Sequence, residues 1–157
     1  MDGATPETFA DIFDRLERSG IRYAVISGVA VVLHGNVRPI ADLDLVIDPA
    51  PDAAAHAMRM LAQCGFTPSI PLPLSMLTVL RMFDPARREI DVFVRYHIPF
   101  DRLWADSRQV SVGNGVVRII SLAHLLEAKR INGRPHDLSD IAALQALDAR
   151  GHERTPT

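Results

Sequence analysis

Two aspartates inside an apolar segment constrain the fold of this chain more than any other feature. Asp42 and Asp44 are separated by a single leucine and are followed by the apolar run Leu45–Ile47. Such a run predicts a β-strand, in which side chains two residues apart point to the same face. Two carboxylates placed in this way repel each other unless a cation or water compensates them. The segment therefore predicts either a cation site or an edge strand whose polar face meets solvent.

A third acidic residue in a similar apolar run extends this pattern. Asp91 lies in the strand-like segment "REIDVFV", and Glu89 precedes it by two positions. Three carboxylates on neighbouring strands suit Mg²⁺ or Mn²⁺, hard ions that keep positions open for substrate phosphates. The alternative for Asp91 is a structural salt bridge to Arg87, Arg88 or Arg95. We expect Glu89 to be a solvated neighbour of the site.

The residues before the aspartate pair indicate an anion-binding corner. Ser27 and Gly28 join a predicted strand, residues 21–27, to a short helix, residues 28–35. Backbone N–H groups at a helix start attract anions, and a glycine lets a phosphate approach the backbone closely. Arg38, in the following loop, is a candidate contact for a triphosphate. The alternative is an ordinary strand-to-helix turn with no ligand.

The remaining chain alternates between helices and strands, which predicts a single α/β or α+β domain with a mixed sheet. We assign residues 1–157 to this domain, with a core over about residues 20–148 and a frayed tail over residues 149–157. Asp137 is predicted to be the N-cap of the last helix, and residues 69–77 are predicted to form a surface excursion. A first predicted helix begins at Thr5-Pro6. Four more predicted helices cover residues 51–65, 99–107, 121–132 and 137–148, and further predicted strands cover residues 76–84, 88–96 and 115–121.

Composition limits the classes of protein to which the chain can belong. With 157 residues, 48% of them hydrophobic, and a formal net charge of −2, the chain can build one core but not a broad basic face for nucleic acid. No apolar run approaches the roughly 20 residues of a membrane span. The N-terminus lacks the layout of a signal peptide, and Cys64 is the only cysteine. We therefore expect a cytoplasmic protein without disulfides.

Two segments resemble a known family. The stretch "SGVAVVLHGNVRPIADLDLVID", residues 27–48, resembles the signature of the nucleotidyltransferase superfamily of the DNA polymerase β type: a small-residue corner, a short helix and an acidic-hydrophobic-acidic strand. The stretch "LAHLLEAKRINGRPHDLSDIAAL", residues 122–144, is similar to the "LxxxKxxxGRxKDxxDxxxL" ending of small bacterial members. Those members include minimal nucleotidyltransferases and the AbiEii-type toxins of toxin–antitoxin systems.

The resemblance implies a nucleotidyltransferase fold and a metal-dependent enzyme that binds an NTP, such as ATP. The enzyme would transfer a nucleoside monophosphate to a hydroxyl of an RNA end, a protein or a small molecule, and an antitoxin or another protein is an implied partner. The implied residues are Asp42, Asp44 and Asp91 for catalysis and Mg²⁺ (or Mn²⁺) binding, and Ser27, Gly28, Arg38 and Lys129 for nucleotide binding. Asp137 and Asp140 fall on the acidic positions that follow the lysine.

Three positions depart from the family pattern. Ser27 stands where a glycine is usual, Ile40 where threonine or serine is frequent, and His136 where the ending has a lysine. These departures keep open the alternative of an inactive nucleotidyltransferase-fold protein that binds a nucleotide or a protein partner. For Lys129 the alternative is a solvated position on an exposed helix face.

Overall fold

A seven-stranded mixed β-sheet forms the centre of the molecule in the computed structural model, which describes residues 4–154. The strands are β1 (Tyr23–Ile26), β2 (Leu43–Ile47), β3 (Thr67–Pro68), β4 (Val79–Phe83), β5 (Glu89–Phe93), β6 (Arg108–Val112) and β7 (Gly115–Ile119). The helices are α1 (Ala10–Ser19), α2 (Ser27–Leu33), α3 (Pro51–Gln63), α4 (Phe100–Asp106), α5 (Leu122–Asn132) and α6 (Pro135–Arg154). Short 3-10 helices cover Pro6–Phe9 and Leu74–Met76. The predicted fold class is confirmed.

The strand order determines which residues become neighbours. It reads β3-β4-β5-β2-β1-β7-β6, which makes β2 the middle strand. Strand β2 pairs antiparallel with β1 and parallel with β5. The interpretation of the aspartate pair as an edge strand is therefore wrong, because both sides of β2 are hydrogen-bonded to other strands.

Side-chain alternation along β2 separates the core from the aspartates. Leu43 and Leu45 have no solvent exposure, and Ile47 is 1% exposed. Asp44, on the opposite face of the same strand, is only partly buried. Residues two apart share a face in a strand, so the apolar residues anchor β2 while the aspartate is presented to the other side.

Three sequence-based element assignments need correction. The two-residue strand β3 was missed because it is short and ends in a proline. The edge strand β6 was missed, because "RQVSV" is polar at alternate positions and stands alone as a weak strand signal; it gains its hydrogen bonds from pairing with β7. The last helix begins at Pro135, two residues before its predicted N-cap Asp137, and continues past Asp148 to Arg154. Proline is favoured at the first helical position because that position needs no N–H partner. Residues 155–157 of the predicted tail lie outside the described residues.

Asp137 contributes to the helix start in a different way from the one predicted. It lies in the first turn of α6, and its Oδ2 accepts a hydrogen bond from the backbone N–H of Arg134 at 3.2 Å. This bond is the side-chain half of a capping box, in which a residue inside the helix satisfies the backbone donor of the cap.

Within residues 4–154, none of the helices combines the length and apolar character that a bilayer crossing requires.

Candidate active site

Three carboxylates converge on one face of the sheet. The parallel register of β2 and β5 makes Asp44 and Asp91 direct neighbours, and Asp42 lies two residues before Asp44 on the same side. One carboxylate oxygen from each of the three residues lies within 4.8 Å of the others. The predicted grouping of Asp42, Asp44 and Asp91 is therefore present in the folded chain.

The environment of Asp44 makes its negative charge costly. Burial is the largest cause and the Asp42 carboxylate the second, and together they raise the pKa of Asp44 to about 8. Its Oδ1 is buried and has no hydrogen-bond partner. An unpartnered buried oxygen beside two other carboxylates fits a hard divalent cation, which takes oxygen ligands and favours the ionised form. The residues present thus suit Mg²⁺ or Mn²⁺.

The Ser27–Gly28 corner adjoins this cluster. Ile26, the last residue of β1, is the register partner of Asp44, so the chain enters α2 beside the carboxylates. Ser27 has a φ of 58°, in the left-handed region that costs most residues with a Cβ about 1–2 kcal/mol. A Cβ at Gly28 would lie 3.4 Å from Nη2 of Arg38. The corner is therefore narrow, backbone-lined and bordered by a guanidinium, as an anion site requires.

We expect the Ser27→Gly variant to be more stable than the wild type by about 0.5–1 kcal/mol, because glycine removes the left-handed strain and loses only part of that gain to backbone entropy. Urea denaturation measures the difference. Ser139→Gly, at an exposed position of α6, is the control and should lose about 0.5 kcal/mol. Equal losses in both variants would show that Ser27 is not strained.

A buried charge network joins the corner to the C-terminal helices. Nζ of Lys129 lies 3.0 Å from Oδ2 of Asp140 and 3.4 Å from Oδ1 of Asp137. The same Asp140 oxygen pairs with Nη2 of Arg38 at 3.1 Å. Lys129 is 5% exposed, so its interpretation as a solvated helix residue is wrong. The network holds Arg38 beside Gly28, and Arg134 completes it through Asp137 at 2.8 Å.

Arg81 is a site residue that the sequence analysis missed. Strands β4 and β5 are antiparallel, and their register places Arg81 opposite Asp91. Its Nε donates to Oδ1 of Asp91 at 3.0 Å and its Nη2 to Oδ2 at 3.2 Å. A salt bridge for Asp91 was considered, but with Arg87, Arg88 or Arg95. The sequence signal for Arg81 was its position between Leu80 and Met82, two apolar strand residues that are buried on the other face.

The carboxylates, the corner and the charge network line one cleft of about 640 Å³. Lys129 and Arg38 lie on its wall together with the predicted metal ligands. Glu89 is not simply solvated, because it pairs with Arg81 at 3.2 Å. Cleft residues that the sequence analysis did not anticipate are Arg81, Phe93, Tyr96, His97, Asn132 and Arg134. The cleft thus combines oxygen ligands at its floor with cationic side chains around them.

Comparison with known proteins identifies the fold. No protein-family model and no curated protein sequence matches the chain. Among solved structures, the chain is similar to the lincosamide antibiotic adenylyltransferase LnuA in its lincomycin-bound form, with a TM-score of 0.65, 17% identity, and coverage of 94% of this chain and 99% of LnuA.

Two further structures share the architecture. A nucleotidyltransferase-fold protein from Thermotoga maritima aligns with a TM-score of 0.62, 14% identity, and coverage of 97% of this chain and 98% of that one. An antigenic nucleotidyltransferase-like protein from Paracoccidioides brasiliensis aligns with a TM-score of 0.64, 19% identity, and coverage of 89% and 74%. The chain therefore has the nucleotidyltransferase fold that the resemblance implied.

Proposed function

We propose that this protein is a metal-dependent nucleotidyltransferase, which transfers a nucleoside monophosphate from an NTP to a hydroxyl group. The observation that carries this proposal is the position of the carboxylate cluster directly beside the Ser27–Gly28 corner. One feature suits a divalent cation and the other suits phosphates, and an NTP–Mg²⁺ complex presents both groups together.

Asp42 and Asp44 would hold the metal, and Asp91, the third predicted ligand, lies beside them. When bound, a divalent ion neutralises phosphate charge and supports attack at the α-phosphorus. The backbone N–H groups of the corner and the Arg38 guanidinium bind the phosphates and orient them. Arg38 is suited to this because its Nε is buried without a partner in the described structure, which leaves a donor for a phosphate oxygen.

Transfer requires one bond to form and another to break at the α-phosphorus. The acceptor oxygen bonds to the phosphorus, the bond to the bridging oxygen of the β-phosphate breaks, and pyrophosphate leaves. Asp91 accepts a hydrogen bond from the acceptor hydroxyl and takes its proton as the new bond forms. The fixed donors of the corner lower the barrier mainly by stabilising the charge on the phosphoryl oxygens.

We propose that the acceptor is a small molecule, in preference to an RNA end or a protein. The net charge of −2 gives no broad basic surface for RNA. A similar structure of nearly the same extent, LnuA, is described as an antibiotic adenylyltransferase with bound lincomycin. Incubation with each labelled NTP and with small alcohols, tRNA or protein acceptors distinguishes the three. The toxin–antitoxin role implied by the resemblance stays a prediction.

We expect isothermal titration calorimetry to show Mg²⁺-dependent binding of at least one NTP to the wild type and none to the Asp42→Asn, Asp44→Asn double variant. The control replaces two exposed acids that do not line the cleft, Asp52→Asn and Asp101→Asn, and changes the net charge equally. Loss of binding in this control would point to bulk charge. A folded wild type that binds no NTP would contradict the proposal.

One observation favours a second function, that of a binding module without catalysis. Arg81 engages both oxygens of Asp91, so the third carboxylate is not free in this structure. A binding module would bind Mg²⁺ and NTP in the calorimetric experiment but release no pyrophosphate with any acceptor. An enzyme would release pyrophosphate and label its acceptor in equal amounts.

A further inference from the structure

We propose that Arg81 takes the place of a second metal ion at Asp91, so that the site binds a single divalent ion through Asp42 and Asp44. This inference rests on the proposed nucleotidyltransferase function and deepens it. It changes the usual expectation for three clustered carboxylates, which is a pair of metal ions.

The contact between Arg81 and Asp91 is built into the sheet. The two residues are register partners on antiparallel strands, and directly opposed side chains on such strands meet without distortion of the backbone. Both carboxylate oxygens of Asp91 accept from the guanidinium, at 3.0 and 3.2 Å. This two-point geometry is the strongest form of an arginine–carboxylate pair. Each Asp91 oxygen already carries a hydrogen bond from a cation, which makes it a weaker metal ligand but leaves it a lone pair for the acceptor hydroxyl.

One further contact keeps the guanidinium in place. Oε2 of Glu89 lies 3.2 Å from Nε of Arg81, so the arginine is held by two acids of the neighbouring strand. The Asp91 side chain is 11% exposed, whereas that of Arg81 is 54% exposed, so water reaches the guanidinium but hardly the carboxylate. A guanidinium is permanently charged, so it compensates Asp91 also in the absence of metal.

The carboxylates of Asp42 and Asp44 differ from that of Asp91 in their ion pairing. In the described part of the chain, Asp42 and Asp44 are in no ion pair, whereas Asp91 is in one with Arg81. Oδ1 of Asp44 is buried without a hydrogen-bond partner. Arg81 pairs with Asp91 and is shared with Glu89, whereas Asp42 and Asp44 supply the two carboxylates that one divalent ion can neutralise.

Counting bound Mn²⁺ tests this assignment. Electron paramagnetic resonance measures free Mn²⁺ during titration of the protein with an equimolar α,β-methylene NTP analogue, using the NTP found by calorimetry. We expect one bound ion per complex in the wild type and two in Arg81→Gln, because the substitution frees both oxygens of Asp91. Arg81→Lys keeps a cation beside Asp91 and should remain at one.

The matched control is Arg87→Gln. Arg87 is exposed and lies in the turn between β4 and β5, so this variant makes the same change of charge away from Asp91 and should bind one ion. Two ions in the wild type, or one ion in Arg81→Gln, would overturn the role of Arg81. If the wild type bound no analogue at any Mn²⁺ concentration, the nucleotidyltransferase proposal itself would fail, together with this inference.

A melting experiment supplies a readout that does not need the nucleotide. In EDTA, Arg81→Gln should melt at a lower temperature than Arg87→Gln, because Asp91 stays buried without its cation. Added Mn²⁺ should raise the melting temperature of Arg81→Gln more than that of either Arg87→Gln or the wild type. An equal rise in all three proteins would show that the metal does not use the freed carboxylate, and would overturn the assignment.

Discussion

The Asp44→Asn variant should be more stable than the wild type in metal-free buffer at pH 8, and it should also lose Mg²⁺-dependent nucleotide binding. The pKa of Asp44 is about 8 in the native protein, against an ordinary value of 3.8. Between these pH values the native protein holds a proton on Asp44 that the unfolded chain has released. The free energy of unfolding of the metal-free wild type therefore falls as the pH rises through this window.

Asparagine removes the charge and with it this loss of stability. The scale is about 1.4 kcal/mol per unit of pKa shift, and Asp44 is only partly buried, so we expect a gain of a few kcal/mol at pH 8. At pH 5 the two proteins should differ much less. Urea denaturation in EDTA at pH 5, 6.5 and 8 gives the comparison, with the exposed Asp52→Asn as the control that should follow the wild type.

The same substitution should lower the transfer rate by at least about 100-fold, because charge stabilisation at the reacting phosphoryl group is the largest catalytic contribution. A variant that gains stability and loses activity would show that the protein tolerates an unfavourable buried charge for function. A wild type whose stability is constant or rises between pH 5 and 8 in EDTA would contradict the assigned state of Asp44.

We expect Lys129→Met to destabilise the protein by about 3 kcal/mol, the low end of the range for removing one partner of a buried ion pair. Lys129 lies between two acids that are themselves 1% and 5% exposed, Asp137 and Asp140. Arg134 and Arg38 still pair with these acids, which is why we place the loss at the low end. Chemical denaturation at neutral pH measures it.

Arg130→Met is the matched control on the same helix. Arg130 is exposed, so its substitution should change stability by no more than about 0.5 kcal/mol. Adding Asp140→Asn to Lys129→Met should recover part of the loss, since the uncompensated charge is removed with its partner. Equal effects of the two single substitutions would mean that Lys129 does not compensate buried charge in solution.

Much of the site was accessible from local sequence patterns. The alternation around Asp42 and Asp44 predicted that both face away from the apolar core, and the folded β2 shows this arrangement. The strand-to-helix junction at Ser27–Gly28 predicted a corner near the carboxylate pair, and both line the cleft. These features depend on periods of two residues along a strand and on a helix start, which are properties of a short stretch of chain.

Features that depend on pairing between distant segments were not accessible in the same way. The partner of Asp91 was sought among neighbouring arginines in the sequence, but the hairpin register selected Arg81. The motif in the C-terminal helices suggested a role for Lys129, but its position between two buried acids follows from the packing of α5 against α6.

By itself, the sequence determined the fold class, the acidic strand and the strand-to-helix corner at Ser27–Gly28, because side-chain alternation and helix-start chemistry are local. Only the tertiary structure decided that β2 lies in the middle of the sheet, that Asp44 is buried enough to hold a proton near neutral pH, and that Arg81 compensates Asp91. Strand order, burial and ion pairing arise from contacts between residues far apart in the chain. Desolvation and Coulomb energies depend on those contacts, so the electrostatics of the site become defined only when the sheet has assembled.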